Sequence, residues 1–314
     1  MSILKISGER TTPDFIEEDF ISAIETALNR SVYYRDKCVE IRRISQADEN
    51  ELGYDGVLNT IVPFYIQFKR SDFYSPHFKG QITTDRVKVS LPVDKGFFAF
   101  ELLRKNNKFE QHNAMYKLSL QNKAAYVAPT FYKSSDLSNL KSQANAILPL
   151  FYEDILFYHP IHRRNITLKN LTLFKRSITI PPHGEINDSN PSHHYSYSRD
   201  NKIGFHSDPI NIENSKSQNL YYFIQEVFDQ ESRESKNIVD SNYNLLPELF
   251  GLNRDSSDFI AIVETAINRV SIVESQVDIK SIIQQLDTFD KLIILEDILY
   301  YYFNIRQFIK YEIQ

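Results

Sequence analysis

Phe64-Tyr65-Ile66-Gln67-Phe68-Lys69 is the stretch of this sequence that decides the fold. Apolar and polar side chains alternate in it, and successive side chains of an extended strand point to opposite faces of a sheet. The three residues Phe64, Ile66 and Phe68 would therefore face a core. Gln67 and Lys69 would share the opposite face, which predicts a strand with a polar cleft on one side.

A second strand is predicted just upstream, at residues 52–58, and it carries Asp55 in the segment Gly53-Tyr54-Asp55-Gly56. If residues 59–63 form the loop of a hairpin, residue 58 faces residue 64 and Asp55 comes opposite Gln67. Two metal-binding oxygens would then meet, with Lys69 further along the same face. Asp-Gly is also a common turn signal, so an ordinary turn residue is the alternative for Asp55.

An amphipathic helix is predicted for residues 13–30, with acidic residues at 17–19 in its first turns. Glu17 shares a face with the apolar residues three, four and seven positions later. Glu18 is the second choice, because it points roughly 100° away around the helix. Acidic side chains at this place also complement the helix dipole without any further role.

Carboxylate and amide oxygens are ligands that Mg²⁺ prefers, and a lysine can stabilise charge that builds on a phosphate. A divalent cation polarises the phosphate and lowers the pKa of water bound to it. The set formed by Glu17, Asp55, Gln67 and Lys69 is therefore typical of phosphodiester hydrolysis. Further basic residues would bring positive charge near the cleft, namely Arg70, Lys79, Arg86, Lys88, Arg104, Lys105 and Lys108.

A helix with a glutamate, a strand with an aspartate and an apolar strand ending in Gln-x-Lys resemble the PD-(D/E)xK nuclease superfamily in its Gln-x-Lys form. The resemblance covers residues 13–131. The same arrangement of residues resembles modification-dependent restriction endonucleases and the nucleases of bacterial anti-phage defence.

The resemblance implies a role for each residue of the pattern. Asp55 would be the central metal ligand, Gln67 would replace the usual acidic ligand, and Lys69 would be the catalytic lysine. Glu17 and the backbone carbonyl of Phe68 would complete a site for Mg²⁺ or Mn²⁺. The implied function is a DNA endonuclease with a restriction-endonuclease-like α/β core, that is, a central mixed sheet flanked by helices.

Other predicted elements divide the chain into a nuclease-like domain with insertions at 1–210 and a helical C-terminal region at 211–314. Residues 181–217 are rich in Pro, Ser, Asn and His and are interpreted as a long loop. The predicted strands are 86–91, 96–103, 124–128 and segments around 166–180. The predicted helices are 108–122, 136–148, 218–230, 257–270, 278–287 and 289–312.

Within the predicted loop, Tyr195, Tyr197 and Arg199 could stack on nucleic acid, although a mobile polar loop is the favoured interpretation. The histidines at 159, 162, 183, 193, 194 and 206 are not favoured as a metal site, since the loop offers no ordered support for ligands. Gln111 and His112, at the start of a predicted helix, could face the Lys69 site.

Composition limits the classes of partner. The net charge of −5 argues against non-specific coating of nucleic acid, and the single cysteine, Cys38, excludes a thiolate zinc site from this chain alone. No phosphate-binding glycine loop occurs, so a nucleotide-driven motor would be another chain. The expected partners are DNA and a separate ATPase or sensor protein of the same defence system.

The remaining expectations concern assembly and location. The helical C-terminal region is expected to form a homo-oligomer or hetero-complex, without a membrane contact. No apolar run or leader is evident, so a cytoplasmic location is expected. The alternative function is a catalytically inactive nuclease-like module that binds a protein partner or senses nucleic acid.

Overall fold

The computed structural model describes residues 8–29, 32–34, 37–44, 60–103, 108–144, 155–161, 163–168, 172–187, 192–206, 210–212, 218–270 and 285–313. These residues form a mixed α/β structure with a central mixed sheet flanked by helices. The prediction of an α/β chain is confirmed. No helix in the described part has the length and apolar character needed to cross a membrane.

The central sheet has strand β4 (Thr60–Phe68) in its interior. β4 pairs in parallel with β7 (Lys123–Pro129), and the other described pairings of this sheet are antiparallel. In order, the strands are β14 (Gln218–Asn219), β10 (Ser177–Ile180), β7 (Lys123–Pro129), β4 (Thr60–Phe68), β16 (Arg306–Ile313), β3 (Lys37–Arg42) and β2 (Val32–Tyr34), and β15 (Arg233–Glu234) also pairs with β4.

Strand β16 corrects the prediction of one helix over 289–312. The helix ends at Phe303, and Asn304 adopts a left-handed conformation with a φ of 52°. Asparagine is one of the few residues that tolerate this conformation at the end of a helix. The chain then enters β16, which lies between β3 and β4. The central sheet therefore contains strands from both sides of the boundary predicted at 210.

A second, antiparallel sheet corrects the prediction of a long loop over 181–217. Tyr195 and Tyr197 lie in β11 and are fully buried, so they cannot stack on nucleic acid. In order, its strands are β1 (Arg10–Thr11), β5 (Asp72–Tyr74), β6 (Phe97–Glu101), β11 (His194–Tyr197), β12 (Ile203–His206) and β13 (Ile210–Asn211). A separate hairpin joins β8 (Ile155–His159) and β9 (Arg164–Leu168).

Helices cover both faces of the central sheet, and the sheet separates the two largest apolar cores. One core lies against the face that carries Phe64 and Phe68, and the other includes Tyr65 and extends to the second sheet. The alternation predicted for residues 64–69 is therefore confirmed. The polar cleft predicted for the opposite face is not, because Tyr65 and Gln67 on that face are buried. The helices are α1 (Glu17–Leu28), α2 (Gln81–Lys88), α3 (Glu110–Gln121), α4 (Ser134–Ala144), α5 (Thr172–Lys175), α6 (Leu220–Asp229), α7 (Ser235–Phe250), α8 (Ser257–Arg269) and α9 (Thr288–Phe303).

Helix α2 covers the first half of the segment predicted as a strand at 86–91 and the rest is not strand either, so that prediction is wrong. Its buried residues are Asp85 and Arg86, which an alternating pattern would have placed on opposite faces. The predicted helix at 278–287 lies mainly outside the described residues.

Candidate active site

Hydrogen bonds connect the carboxyl end of β4 to strand β7 and to the start of helix α1. The Lys69 N–H donates to the Val127 carbonyl at 2.9 Å, which extends the pairing with β7 by one residue. The Arg70 N–H donates to Glu17 Oε2 at 2.9 Å, and Arg70 Nη1 donates to the Phe15 carbonyl at 3.2 Å. These bonds hold Glu17 and Lys69 at the same end of the sheet.

Glu17 and Lys69 form an electrostatic pair that is partly buried and therefore partly shielded from water. Burial lowers the pKa of Lys69, and the Glu17 carboxylate opposes that shift. Burial raises the pKa of Glu17, and the Lys69 ammonium opposes that shift in turn. Glu18, the second choice from sequence, is exposed. The partly buried Glu17 is therefore the carboxylate of this helix that interacts with Lys69.

Gln67 is 1% exposed and its amide is held in one orientation. Its Nε2 donates to the Phe303 carbonyl at 2.9 Å and to Gln111 Oε1 at 3.1 Å. A backbone carbonyl can only accept, so the Phe303 contact identifies the amide nitrogen. The opposite atom, Gln67 Oε1, is buried and has no hydrogen-bond partner in the part of the chain that the structure describes.

The carbonyl of Phe68 lies past the end of one strand pairing. Since the Lys69 N–H faces β7, backbone alternation directs the peptide groups of Phe68 toward β16. The β16 pairing ends at Ile66 and Arg306, two residues before Phe68. The Phe68 carbonyl is therefore placed beyond the ladder, close in sequence to Gln67 and Lys69.

His112 and Tyr126 support the site from helix α3 and strand β7. His112 Nε2 lies 2.7 Å from the Gly184 carbonyl, so Nε2 carries the proton and Nδ1 accepts from the Tyr126 hydroxyl at 2.8 Å. Burial lowers the pKa of His112 to about 3, which keeps the ring neutral. The Lys69 ammonium lies 6.0 Å from the centre of the Tyr126 ring, at the limit of a cation–π contact.

These contacts include one residue that sequence reasoning missed. Gln111 and His112 were named as residues that could face the site; Gln111 accepts from Gln67, and His112 contacts Tyr126 beside Lys69. Tyr126 was interpreted only as part of an apolar strand. Its role depends on the parallel register that pairs it with Gln67, and local alternation carries no information about that register.

The predicted hairpin between residues 52–58 and β4 is wrong. Phe64 pairs with Phe308 of β16 on one edge and with Lys123 of β7 on the other, so neither edge is free for residue 58. Both edges of Ile66 are occupied as well. Asp55 itself lies outside the described residues, and its proposed role stays a prediction.

Among the described residues, no group of three or more His, Cys, Asp or Glu side chains is arranged to hold a metal ion. A metal at this site would need Gln67 Oε1, a backbone carbonyl and a further acidic residue in addition to Glu17. No family model, curated protein or solved structure matches the chain. Function has to be inferred from the geometry of the site.

Proposed function

We propose that this chain is a metal-dependent endonuclease that hydrolyses phosphodiester bonds of DNA in bacterial restriction or anti-phage defence. The proposal includes a restriction-endonuclease-like arrangement of the core around β4 and β7. One observation carries it: the shielded pair of Glu17 and Lys69 lies at the end of the strand that also holds the buried amide of Gln67. Perturbed acid and base groups of this kind concentrate at functional sites.

Lys69 would act on the charge of the reacting phosphate. An ammonium group shielded from water interacts with developing negative charge more strongly than one in bulk solvent. Because its pKa is lowered, Nζ also gives up a proton more readily than an exposed lysine. Glu17 would keep this side chain oriented.

The donor set fits a hard divalent cation such as Mg²⁺ or Mn²⁺. The buried Gln67 Oε1 without a partner is an amide oxygen, which is a ligand type that such ions accept. The residues that would hold the ion are Gln67, Glu17, the carbonyl of Phe68 and Asp55. When bound, such an ion polarises the phosphate and lowers the pKa of water.

Cleavage of plasmid DNA tests the proposal. Purified wild-type protein with Mg²⁺ or Mn²⁺ is expected to cut, and Lys69→Ala and Asp55→Ala are expected not to. Lys236→Ala is the matched control, since Lys236 is an exposed lysine on helix α7 and is not among the basic residues expected near the cleft. Equal cleavage by wild type, Lys69→Ala and Asp55→Ala would contradict the assignment.

Because the chain has no phosphate-binding glycine loop, we propose that a separate ATPase or sensor protein triggers activity in the cell.

A non-catalytic nuclease-like module is the second candidate, and one observation favours it. Both Gln67 Nε2 hydrogen bonds are made to the protein interior, as expected for a purely structural amide. Calorimetry with Mn²⁺ separates the two candidates. An enzyme is expected to bind the ion and to lose binding in Gln67→Leu, whereas a scaffold would show no binding in either protein.

A further inference from the structure

Arg176 is held rigidly at the carboxyl end of β7. Its carbonyl accepts from the Thr130 N–H at 2.8 Å, and its side chain donates to Thr130 Oγ1 at 3.3 Å and to the Thr130 carbonyl at 3.4 Å. The guanidinium carbon lies 5.6 Å from the centre of the Phe131 ring. The side chain is therefore oriented before any ligand arrives.

Arg199 lies near Arg176 and belongs to the second sheet. It lies in the turn between β11 and β12 and is exposed. The preceding Tyr197 hydroxyl donates to the Pro129 carbonyl at 2.7 Å, which fastens this turn to the end of β7. Burial, followed by the nearby Arg199 charge, lowers the pKa of Arg176, as expected for two cations held close together.

Two like charges at one place repel unless an anion lies between them. In the described part of the chain, neither arginine forms an ion pair with a carboxylate. Asp136 is the one acidic residue with an electrostatic effect on Arg176. The pair therefore has unused capacity for an anion, and the planar guanidinium matches the oxygens of a phosphate.

The arginine pair and Lys69 lie at the same end of the strands of the central sheet. Lys69 is bonded to Val127 of β7, and Arg176 is bonded to Thr130, three residues further along that strand. β4 and β10 are two strands apart, which corresponds to about 10 Å across the sheet, and the offset along the strands adds a little to this separation. This is roughly the axial rise of three nucleotides of one DNA strand.

We propose that Arg176 and Arg199 bind a backbone phosphate of DNA a few nucleotides from the phosphate that reaches Lys69. This inference rests on the proposed nuclease function and adds a contact that positions the substrate. Phosphate contacts fix the register of a protein on nucleic acid without reading its sequence. The arginines would therefore contribute to affinity for any DNA sequence.

A salt titration of DNA binding tests the pair. Binding of a fluorescent duplex is measured in EDTA, so that cleavage does not occur, for wild type, Arg199→Ala and the double variant Arg176→Ala/Arg199→Ala. The double variant is expected to bind about tenfold more weakly, and the slope of log affinity against log salt is expected to fall by about 1, because the two arginines share one phosphate. Arg233→Ala is the matched control, because Arg233 is exposed on β15, which pairs with the opposite end of β4.

The outcomes separate this inference from the nuclease proposal. Loss of affinity in Arg199→Ala, partly restored in Arg199→Lys, would support the inference even if wild type cleaved nothing. Arg199 makes no hydrogen bond within the described residues, so this variant also remains informative if Arg176→Ala fails to fold. Unchanged affinity and salt slope in the arginine variants, or absence of duplex binding by wild type, would overturn the inference even if the enzyme cut DNA. Inorganic phosphate as competitor shows whether a free anion occupies the pair instead, and displacement at micromolar phosphate would overturn it too.

Discussion

Two buried cations in this molecule, Lys69 and Arg86, have opposite surroundings. Lys69 lies at a strand end with a carboxylate beside it and retains partial exposure. Arg86 is fully buried, stacks 4.8 Å from the centre of the Phe97 ring and donates to Ser196 Oγ at 2.5 Å and to the Pro92 carbonyl at 3.2 Å. Among the described residues, no carboxylate forms an ion pair with it.

The difference distinguishes a cation that can meet a substrate from one that holds the fold together. Arg86 was expected to bring positive charge to the cleft, but no solvent reaches it, and burial lowers its pKa to about 10. Its donors join helix α2 to the second sheet through Ser196. Within the described residues, the Lys69 ammonium makes no comparable set of hydrogen bonds, which leaves it available to a ligand.

The largest expected effect that tests this comparison is on catalysis at Lys69. Under the proposed function, Lys69→Met is expected to reduce DNA cleavage by about a thousandfold, because the charge that would act on the reacting phosphate is lost. The free energy of unfolding should change by less than about 1 kcal/mol, since a shielded ammonium is removed with few hydrogen bonds. Cleavage rates and urea unfolding of the same preparation measure both. A large loss of stability would make Lys69 structural, like Arg86.

Arg86→Ala is expected to lower the free energy of unfolding by about 3 kcal/mol. The substitution leaves a cavity and deprives Ser196 Oγ and the Pro92 carbonyl of their donor. Urea unfolding measures the loss, and Lys88→Ala on the exposed side of the same helix is the control. Wild-type stability in Arg86→Ala would show that the buried guanidinium contributes nothing to the packing of α2.

A smaller effect is expected from His206, which contacts the Arg86 cluster through Ser196. Burial lowers the pKa of His206 from 6.5 to about 4, so the unfolded chain binds more protons between these values. Stability should be fully present above pH 6.5 and fall as the pH approaches 4, by about 2 kcal/mol at pH 5 for this group. Thermal unfolding of wild type and His206→Gln across this range is the measurement. An equally steep pH dependence in the variant would exclude His206 as its source.

The smallest expected effect is on the pKa of Lys69. Glu17→Gln removes the charge that opposes the effect of burial, so the pKa of Lys69 should fall further. NMR titration of protein with ¹³C-methylated lysines reports this value directly. Glu18→Gln is the matched control, because Glu18 is adjacent and exposed. The same shift in both variants would point to a general change in surface charge.

Local patterns predicted those elements whose side chains obey one period. Residues 64–69 alternate strictly, and the structure confirms a strand with its apolar side chains in one core. The helix that begins at Glu17 was equally clear, since Phe20, Ile21 and Ile24 recur at helical spacing and are buried. Glu17 and Lys69 could therefore be placed on the correct elements from sequence.

Patterns failed where burial depends on distant partners. Arg86-Val87-Lys88-Val89 alternates polar and apolar residues as a strand does. Residues 86–88 are helical instead, and the Arg86 guanidinium is buried because the second sheet supplies an acceptor in Ser196 Oγ. The alternation of Tyr195 and Tyr197 signalled β11, although the surrounding Pro, Ser and Asn content suggested a loop. The hairpin prediction failed because β16, more than 200 residues away in sequence, pairs with one side of β4, and β7 pairs with the other.

The position of β16 has a consequence for synthesis of the protein. While the ribosome is still producing the chain, β4 has β7 as a neighbour but lacks its other partner until residues 306–313 emerge from the exit tunnel. Gln67 likewise waits for Phe303 before its amide is oriented. A nascent chain would therefore orient the Gln67 amide and pair β4 on both sides only after the segment that contains Phe303 and β16 has left the ribosome.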